Sequence, residues 1–236
     1  MQTQIYKADS RGQADYEWLK ANYSFSFANY YNPQQVHFGV LRVLNDDVIA
    51  ASGGFDTHPH DNMEIITIPL SGQLAHKDSM GHVSYIKSGE VQVMSAGKGI
   101  FHSEFNGSDT EVLKLFQIWL FPNLKNVEPR YQQISIADVA RKNELYQILS
   151  PSADDQGVWI YQDAWFHMGD LDSGWSGSYQ TKKEGNGIYL MVIEGDVKVG
   201  DALLHKRDAI GITNVSEIEI SADSNARLLI MDVPMN

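Results

Sequence analysis

The sequence contains no cysteine in 236 residues. That absence excludes disulfides, thiolate metal sites and a cysteine nucleophile, and it leaves histidine and carboxylate as the strong metal ligands. Long apolar runs are missing too. Stretches such as Ile188 to Ile193 are far shorter than the ~20 residues a bilayer-spanning helix needs. The first segment, MQTQIYKADSRG, has no apolar core after its first charges, which excludes a standard secretory signal. Without cysteine or signal, a cytoplasmic protein is expected. Basic residues are scarce: 18 Lys and Arg stand against 30 Asp and Glu, for a formal net charge of -12. Such a surface repels phosphate backbones, so direct nucleic-acid binding is not expected. The short pairs Lys182-Lys183 and Lys206-Arg207 read as solvated turn residues.

What is present is core material, with 43% hydrophobic residues, arranged with the period of strands. His37, Gly39, Leu41 and Val43 alternate with Val36, Phe38, Val40 and Arg42. The runs Glu64 to Ile68, Lys114 to Leu120, Ile188 to Ile193 and Ala226 to Met231 are rich in β-branched, aromatic and long apolar residues. Turns are expected at Ser71-Gly72, Ser88-Gly89, Glu194-Gly195 and Val199-Gly200-Asp201. Short strands between such turns predict an all-β sandwich or barrel. One helix is expected at Ile136 to Lys142, capped by Ser135.

The two halves echo one another. Ile68 to Leu74 and Val192 to Val197 each read as strand, polar-glycine turn and strand, and each is followed by a second turn around an acidic residue. Two tandem β-barrels are expected, with the first over residues 1–135 and the second over 136–236.

The chemistry concentrates in two short pairs. In GGFDTHPHDNME, His58 and His60 are two apart, so on a strand both imidazoles face one way. In GKGIFHSE, His102 and Glu104 repeat that spacing, and Gly97 and Gly99 allow a tight turn just before them. On adjacent antiparallel strands the two pairs converge on one point. Three imidazoles and a carboxylate leave open positions on a six-coordinate ion and suit Fe(II), Mn, Co, Ni, Zn or Cu. Glu64 competes for the carboxylate role, lying four residues after His60 and so on the same face if the strand is regular. Glu104 is the preferred ligand, with Glu64 an alternative ligand or a group behind the ligands.

GGFDTHPHDNMEIITIPLSGQLAHKDSMG followed by SGEVQVMSAGKGIFHSEFN resembles the pirin family of the cupin superfamily, in its bacterial form. The resemblance implies a bicupin, two tandem cupin barrels with one or two short helices, and one metal in the first barrel on His58, His60, His102 and Glu104. That metal is usually iron, so Fe(II) is favoured. It also implies an activity like that of quercetin 2,3-dioxygenases, which open a flavonol ring with O2 and release carbon monoxide. The expected partners are thus O2 and a small aromatic, flavonol-like substrate, with Glu104 or Glu64 taking the substrate's hydroxyl proton. Eukaryotic relatives are associated with transcription factors. A non-catalytic, metal-dependent module acting on a protein partner is therefore the alternative reading, and a monomer is expected in either case. The chain departs from the eukaryotic pattern at Asp61-Asn62-Met63, where Arg-Gly-Phe is usual, and at His82, which is often Asn.

Aligning Gly195 with Gly72 puts Thr181 and Lys183 where His58 and His60 stand, and no histidine lies between Ser221 and Arg227. The second barrel is therefore expected to bind no metal and to serve as a packing partner and lid. His76 and His82 read as surface or locally hydrogen-bonded residues beside a hairpin turn. His37 is a candidate for the pocket wall, and His167 and His205 read as unrelated to the chemistry. Tyr23, Phe25, Phe27, Tyr30 and Tyr31 read as core or barrel cover.

Overall fold

A computed structural model describes all 236 residues. The first half carries β1 (Gln2–Tyr6), β2 (Gly12–Asp15), β3 (Leu19–Tyr23), β4 (Leu41–Ile49), β5 (Gly54–His60) and β6 (Glu64–Ser71). It continues with β7 (Gln73–Asp78), β8 (Val83–Lys87), β9 (Glu90–Ser95), β10 (Ile100–Asn106), β11 (Leu113–Leu120) and β12 (Arg130–Ser135). The second half carries β13 (Leu145–Ser150), β14 (Val158–Trp159), β15 (Trp165–Leu171), β16 (Ser176–Gln180) and β17 (Asn186–Glu194). It ends with β18 (Val197–Val199), β19 (Ala202–Leu204), β20 (Ala209–Thr213), β21 (Glu217–Ala222) and β22 (Ala226–Pro234).

These strands form two similar units, each a seven-stranded sheet and a four-stranded one. In the first, β12-β9-β6-β11-β4-β3-β2 goes with β5-β10-β7-β8; in the second, β1-β20-β17-β22-β15-β13-β14 goes with β16-β21-β18-β19. The all-β, two-barrel expectation holds. The expected division at 135/136 does not hold for the first strand, because β1 pairs along its whole length with β20 of the second unit.

The two large sheets share one core. Along β6, Ile66 and Ile68 point into a cluster of 30 buried residues drawn from both halves, which also takes Phe116, Ile118, Tyr189, Met191, Leu229 and Met231. The alternate residues of β17 and β22, such as Leu190 and Ile230, fill the second barrel. Strands buried on both faces need apolar residues at every position, which explains why these runs read as continuous rather than alternating.

Two local expectations fail. The helix at Ile136 to Lys142 is a single 3-10 turn, Ile136–Asp138, and Ser135 makes no side-chain cap bond. Seven residues between strands, only some of them apolar, are too few to sustain a helix against the pull of the neighbouring sheets. The strand read from Val36 starts instead at Leu41. Gly39 adopts φ +53 and its backbone abuts Pro234, so the chain turns there. His37 is accordingly exposed and bonds the Gly39 carbonyl, away from the first barrel's interior.

Candidate metal centre and cavity

β5 and β10 lie side by side in the four-stranded sheet, with His102 directly opposite His58. Gly97 (φ +49) and Gly99 (φ +134) shape the turn into β10. A Cβ on Gly97 would stand 2.1 Å from the Val127 carbonyl oxygen, so a side chain is excluded there. At the other end of the HPH segment the chain turns through Asn62 at φ +45. Asparagine is one of the few non-glycine residues that tolerate this region. The Asn62 carboxamide also accepts the Asn126 N–H at 2.7 Å, pinning the turn.

One ligating atom from each of His58, His60 and His102 lies within 4.8 Å of the others, and His76, His102 and Glu104 form a second such triple. His102 belongs to both. His58 Nδ1 is 2.7 Å from the Asp56 carbonyl oxygen, so Nδ1 carries the proton and Nε2 presents its lone pair. That Nε2 is 3.0 Å from His102 Nε2. The separation suits two nitrogens sharing one ion at ~2.1 Å each. Burial, reinforced by the neighbouring histidines, pushes His102 down to about 2, and burial and His58 push His60 down to about 4. Both are neutral imidazoles at neutral pH, as ligation requires. The donor set fits a single divalent metal ion.

Glu104 points into the barrel. Gln117 Nε2 donates to its Oε2 at 2.9 Å, while the Thr67 hydroxyl is 3.5 Å from Oε1. Burial pushes the carboxyl up to about 7 against those two bonds. Glu64 is elsewhere. The strand does not continue through Asn62, and Glu64 opens β6 in the other sheet. It shares parity with Ile66 and Ile68, which face the core between the barrels, whereas Thr67 faces Glu104. Its Oε2 accepts the Ser95 hydroxyl at 2.6 Å, and burial pushes it up to about 7 although Ser95 and Arg130 oppose the shift. Position four after His60 implied a shared face only for an unbroken strand.

His76 also departs from expectation. It is 2% exposed, not a surface residue, and its Nε2 lies 3.2 Å from Asp78 Oδ2. The local hydrogen bonding expected of it is present. Burial pushes Asp78 upward, but bonds from His76 and from the His82 backbone prevail and hold its carboxyl below the usual range. His82 reaches the same carboxylate at 3.0 Å and stacks on Tyr131. A buried imidazole beside His102 could not be told from a surface one by sequence, because inward and outward positions of a short hairpin carry similar residues.

A cavity of about 580 Å³ opens beside the cluster, with His58 and Glu104 in its wall. Its wall is largely apolar, with Trp18, Tyr23, Phe27, Phe55 and Trp119 among the lining residues. Of the aromatic group read as core or cover, Tyr23 and Phe27 line this space, Phe25 enters the shared core, and Tyr31 is exposed. Asn45, Asp47 and Gln117 also line it. Their sequence signal was the run Asn45-Asp46-Asp47 inside the otherwise apolar strand Leu41–Ile49.

The second barrel differs at the matching places. Gly72 and Gly195 occupy equivalent turns, with φ +76 and +81. Counting register from them pairs His102 with Ile218, Glu104 with Ile220, His76 with Val199 and His58 with Tyr179. The expected equivalence of Thr181 with His58 is thus two residues out, and Thr181 matches His60 instead. Apolar side chains occupy most of that interior. Near them, Tyr179 bonds Asp232 at 3.1 Å and lies 3.3 Å from His167 Nδ1. Burial, with Lys182 adding, pushes His167 down to about 3. The unfolded chain, with an ordinary histidine near 6.5, therefore binds one more proton between those values. Its contribution to stability is complete above pH 6.5 and is lost as pH falls toward 3, by about 1.4 kcal/mol per pH unit. Urea titrations from pH 7 to 4 should show His167→Gln with a shallower acid decline than wild type, by about one proton.

Comparison with known proteins agrees with this geometry. The Pirin family model matches residues 5–120, and a model of the quercetinase C-terminal cupin domain matches 147–233. The chain is 41% identical over 230 residues to quercetin 2,3-dioxygenase of Escherichia coli (strain K12), covering 98% of each. It is 38% identical to the pirin-like protein of Caulobacter vibrioides, covering 95% of this chain and 96% of that one. The crystal structure of bacterial pirin YhhW from Escherichia coli in complex with nickel(II) superposes with a TM-score of 0.94 at 39% identity, covering 99% of both chains. With motif, fold and full-length identity in accord, the chain belongs to the pirin family.

Proposed function

We propose that this chain is a dioxygenase that holds one divalent metal ion, with Fe(II) favoured, on His58, His60, His102 and Glu104, and opens the flavonol ring of quercetin-like substrates with O2. The observation that carries this reading is the convergence of three imidazoles beside a largely apolar cavity of about 580 Å³ that is rich in aromatic side chains. A planar polyphenol is the kind of ligand such a space accepts. When bound, the ion supplies Lewis acidity and redox access to O2. The Asp56 carbonyl holds the His58 ring in orientation. Gln117 and Thr67 hold the Glu104 carboxylate in place, and that carboxylate takes the proton of the substrate hydroxyl. The aromatic wall keeps water from the reacting ring.

The test is quercetin consumption and carbon monoxide release by protein loaded anaerobically with Fe(II) and then exposed to O2. Turnover is the expected result; none with any divalent ion would overturn the reading in favour of a non-catalytic module. Under metal saturation, Glu104→Gln should lower kcat by about 100-fold or more, the scale of a lost proton acceptor.

A further inference from the structure

Two adjacent aspartates on β4 have opposite surroundings. Asp46 faces the core between the barrels, where Arg207 and Arg11 donate to its Oδ2 at 2.9 and 3.2 Å. Asp47 faces the cavity and is 4% exposed, and its Oδ1 has no hydrogen-bond partner. Asn45, two residues before it on the same face, is 3% exposed and its Oδ1 is likewise unpartnered. Natural folds rarely leave buried oxygens unsatisfied, since each costs the desolvation of the group with nothing in return. Two such oxygens in one cavity wall point to a ligand that completes them.

The register places these oxygens relative to the metal centre. Gln117, which bonds Glu104, lies directly opposite Asn45 across β11 and β4. Asp47 lies one further step along the strand, opposite Leu115 and Ala21. The same-face step on a strand is ~7 Å. A polar row thus runs from Glu104 through Gln117 and Asn45 to Asp47, across a floor otherwise made of apolar and aromatic side chains. Burial, with Asp46 and Glu104 adding, pushes the Asp47 carboxyl up to about 8. In the neutral as in the ionised acid one oxygen still accepts, as the Asn45 Oδ1 does, so the complementary ligand carries hydroxyl donors on a planar aromatic body.

We infer that Asn45 and Asp47 form a specificity subsite that accepts hydrogen bonds from phenolic hydroxyls on the part of the substrate remote from the metal centre, with Asp47 selecting polyhydroxylated over sparsely hydroxylated aromatics. This rests on the flavonol reading and adds to it which members of that class the cavity prefers. A site built to bond a hydroxyl discriminates strongly against the analogue that lacks it, because the protein group is then left buried and unpaired.

The experiment compares quercetin with 3-hydroxyflavone, which keeps the ring-opening hydroxyl but lacks the others. Dissociation constants are read anaerobically on metal-loaded protein by quenching of tryptophan fluorescence, since Trp18 and Trp119 lie in the wall. Wild type should favour quercetin by about tenfold to hundredfold. Asp47→Leu should narrow that preference to roughly threefold or less, with 3-hydroxyflavone affinity and metal content held. The variant's melting temperature should equal or exceed that of wild type, because an apolar side chain removes an unpaired buried carboxyl. Asp47→Val, smaller and suited to a strand, decides by the same comparison if leucine overpacks. Equal binding of the two ligands by wild type, or an unchanged preference in the variant, overturns the inference and leaves the flavonol reading standing. Failure of wild type to bind either ligand overturns both.

Discussion

Replacing His102 with alanine should remove the metal from the purified protein and take quercetin consumption to background. His102 is the residue common to both clusters of ligating atoms, and it lies directly opposite His58. Loss of groups behind metal ligands already lowers affinity about 10- to 100-fold, so loss of His102 itself should exceed 100-fold. Elemental analysis should find about one divalent ion per wild-type chain and almost none in His102→Ala. A reading independent of turnover is available. Added metal stabilises a protein that binds it in the folded state alone, so wild type should melt higher as metal is titrated, whereas His102→Ala should not respond. His76→Gln provides the contrast. Its ring lies beside His102 but is held by Asp78, so metal should be weakened without being abolished. Full metal content in His102→Ala would exclude this centre.

Asp46→Ala should destabilise the fold by roughly 3–5 kcal/mol, the cost of stranding buried guanidinium groups. Arg207 and Arg11 converge on this carboxylate from separate parts of the chain. Arg207 belongs to the second barrel and also bonds the Ile193 carbonyl and packs over Phe116. The ion cluster therefore ties the halves together at the edge of their common core. For a chain of this length the melting temperature should drop by roughly 10 °C. Replacing Asp46, Arg11 and Arg207 together with apolar residues should recover much of the loss, since a buried ion cluster contributes less than its rupture costs. The neighbouring Asp47→Leu should leave stability unchanged or raised. Opposite outcomes at consecutive positions would reflect their opposite faces; equal losses at both would contradict that division.

Much of the candidate site could be read from the sequence because it rests on local geometry. HPH and HSE carry the two-residue spacing that puts each pair on one face of a strand, and Gly97 and Gly99 mark the turn before the second pair. Glu64 shows where such reading ends. Its distance from His60 is a strand spacing in sequence, but a residue with φ +45 stands between them and the chain passes into another sheet. His76 marks a similar boundary: two residues before Asp78, it could have faced water or metal, and only the pairing of β7 with β10 turns it inward.

By itself the sequence determined the strand-rich character, the tandem repeat, the absence of thiolate chemistry and the pairs His58/His60 and His102/Glu104 with their shared faces. Each follows from residue type and from periods of a few residues. Tertiary structure alone decided that β1 joins the second barrel, that the two large sheets share a core, and that Asp46 and Asp47 have different partners. It also placed Asn45, Asp47 and Gln117 beside a histidine and carboxylate cluster that comes from other strands. These outcomes depend on which strands pair and in what register. That choice is made by burying both faces of the large sheets at once, so it is a property of the whole chain and not of any segment of it.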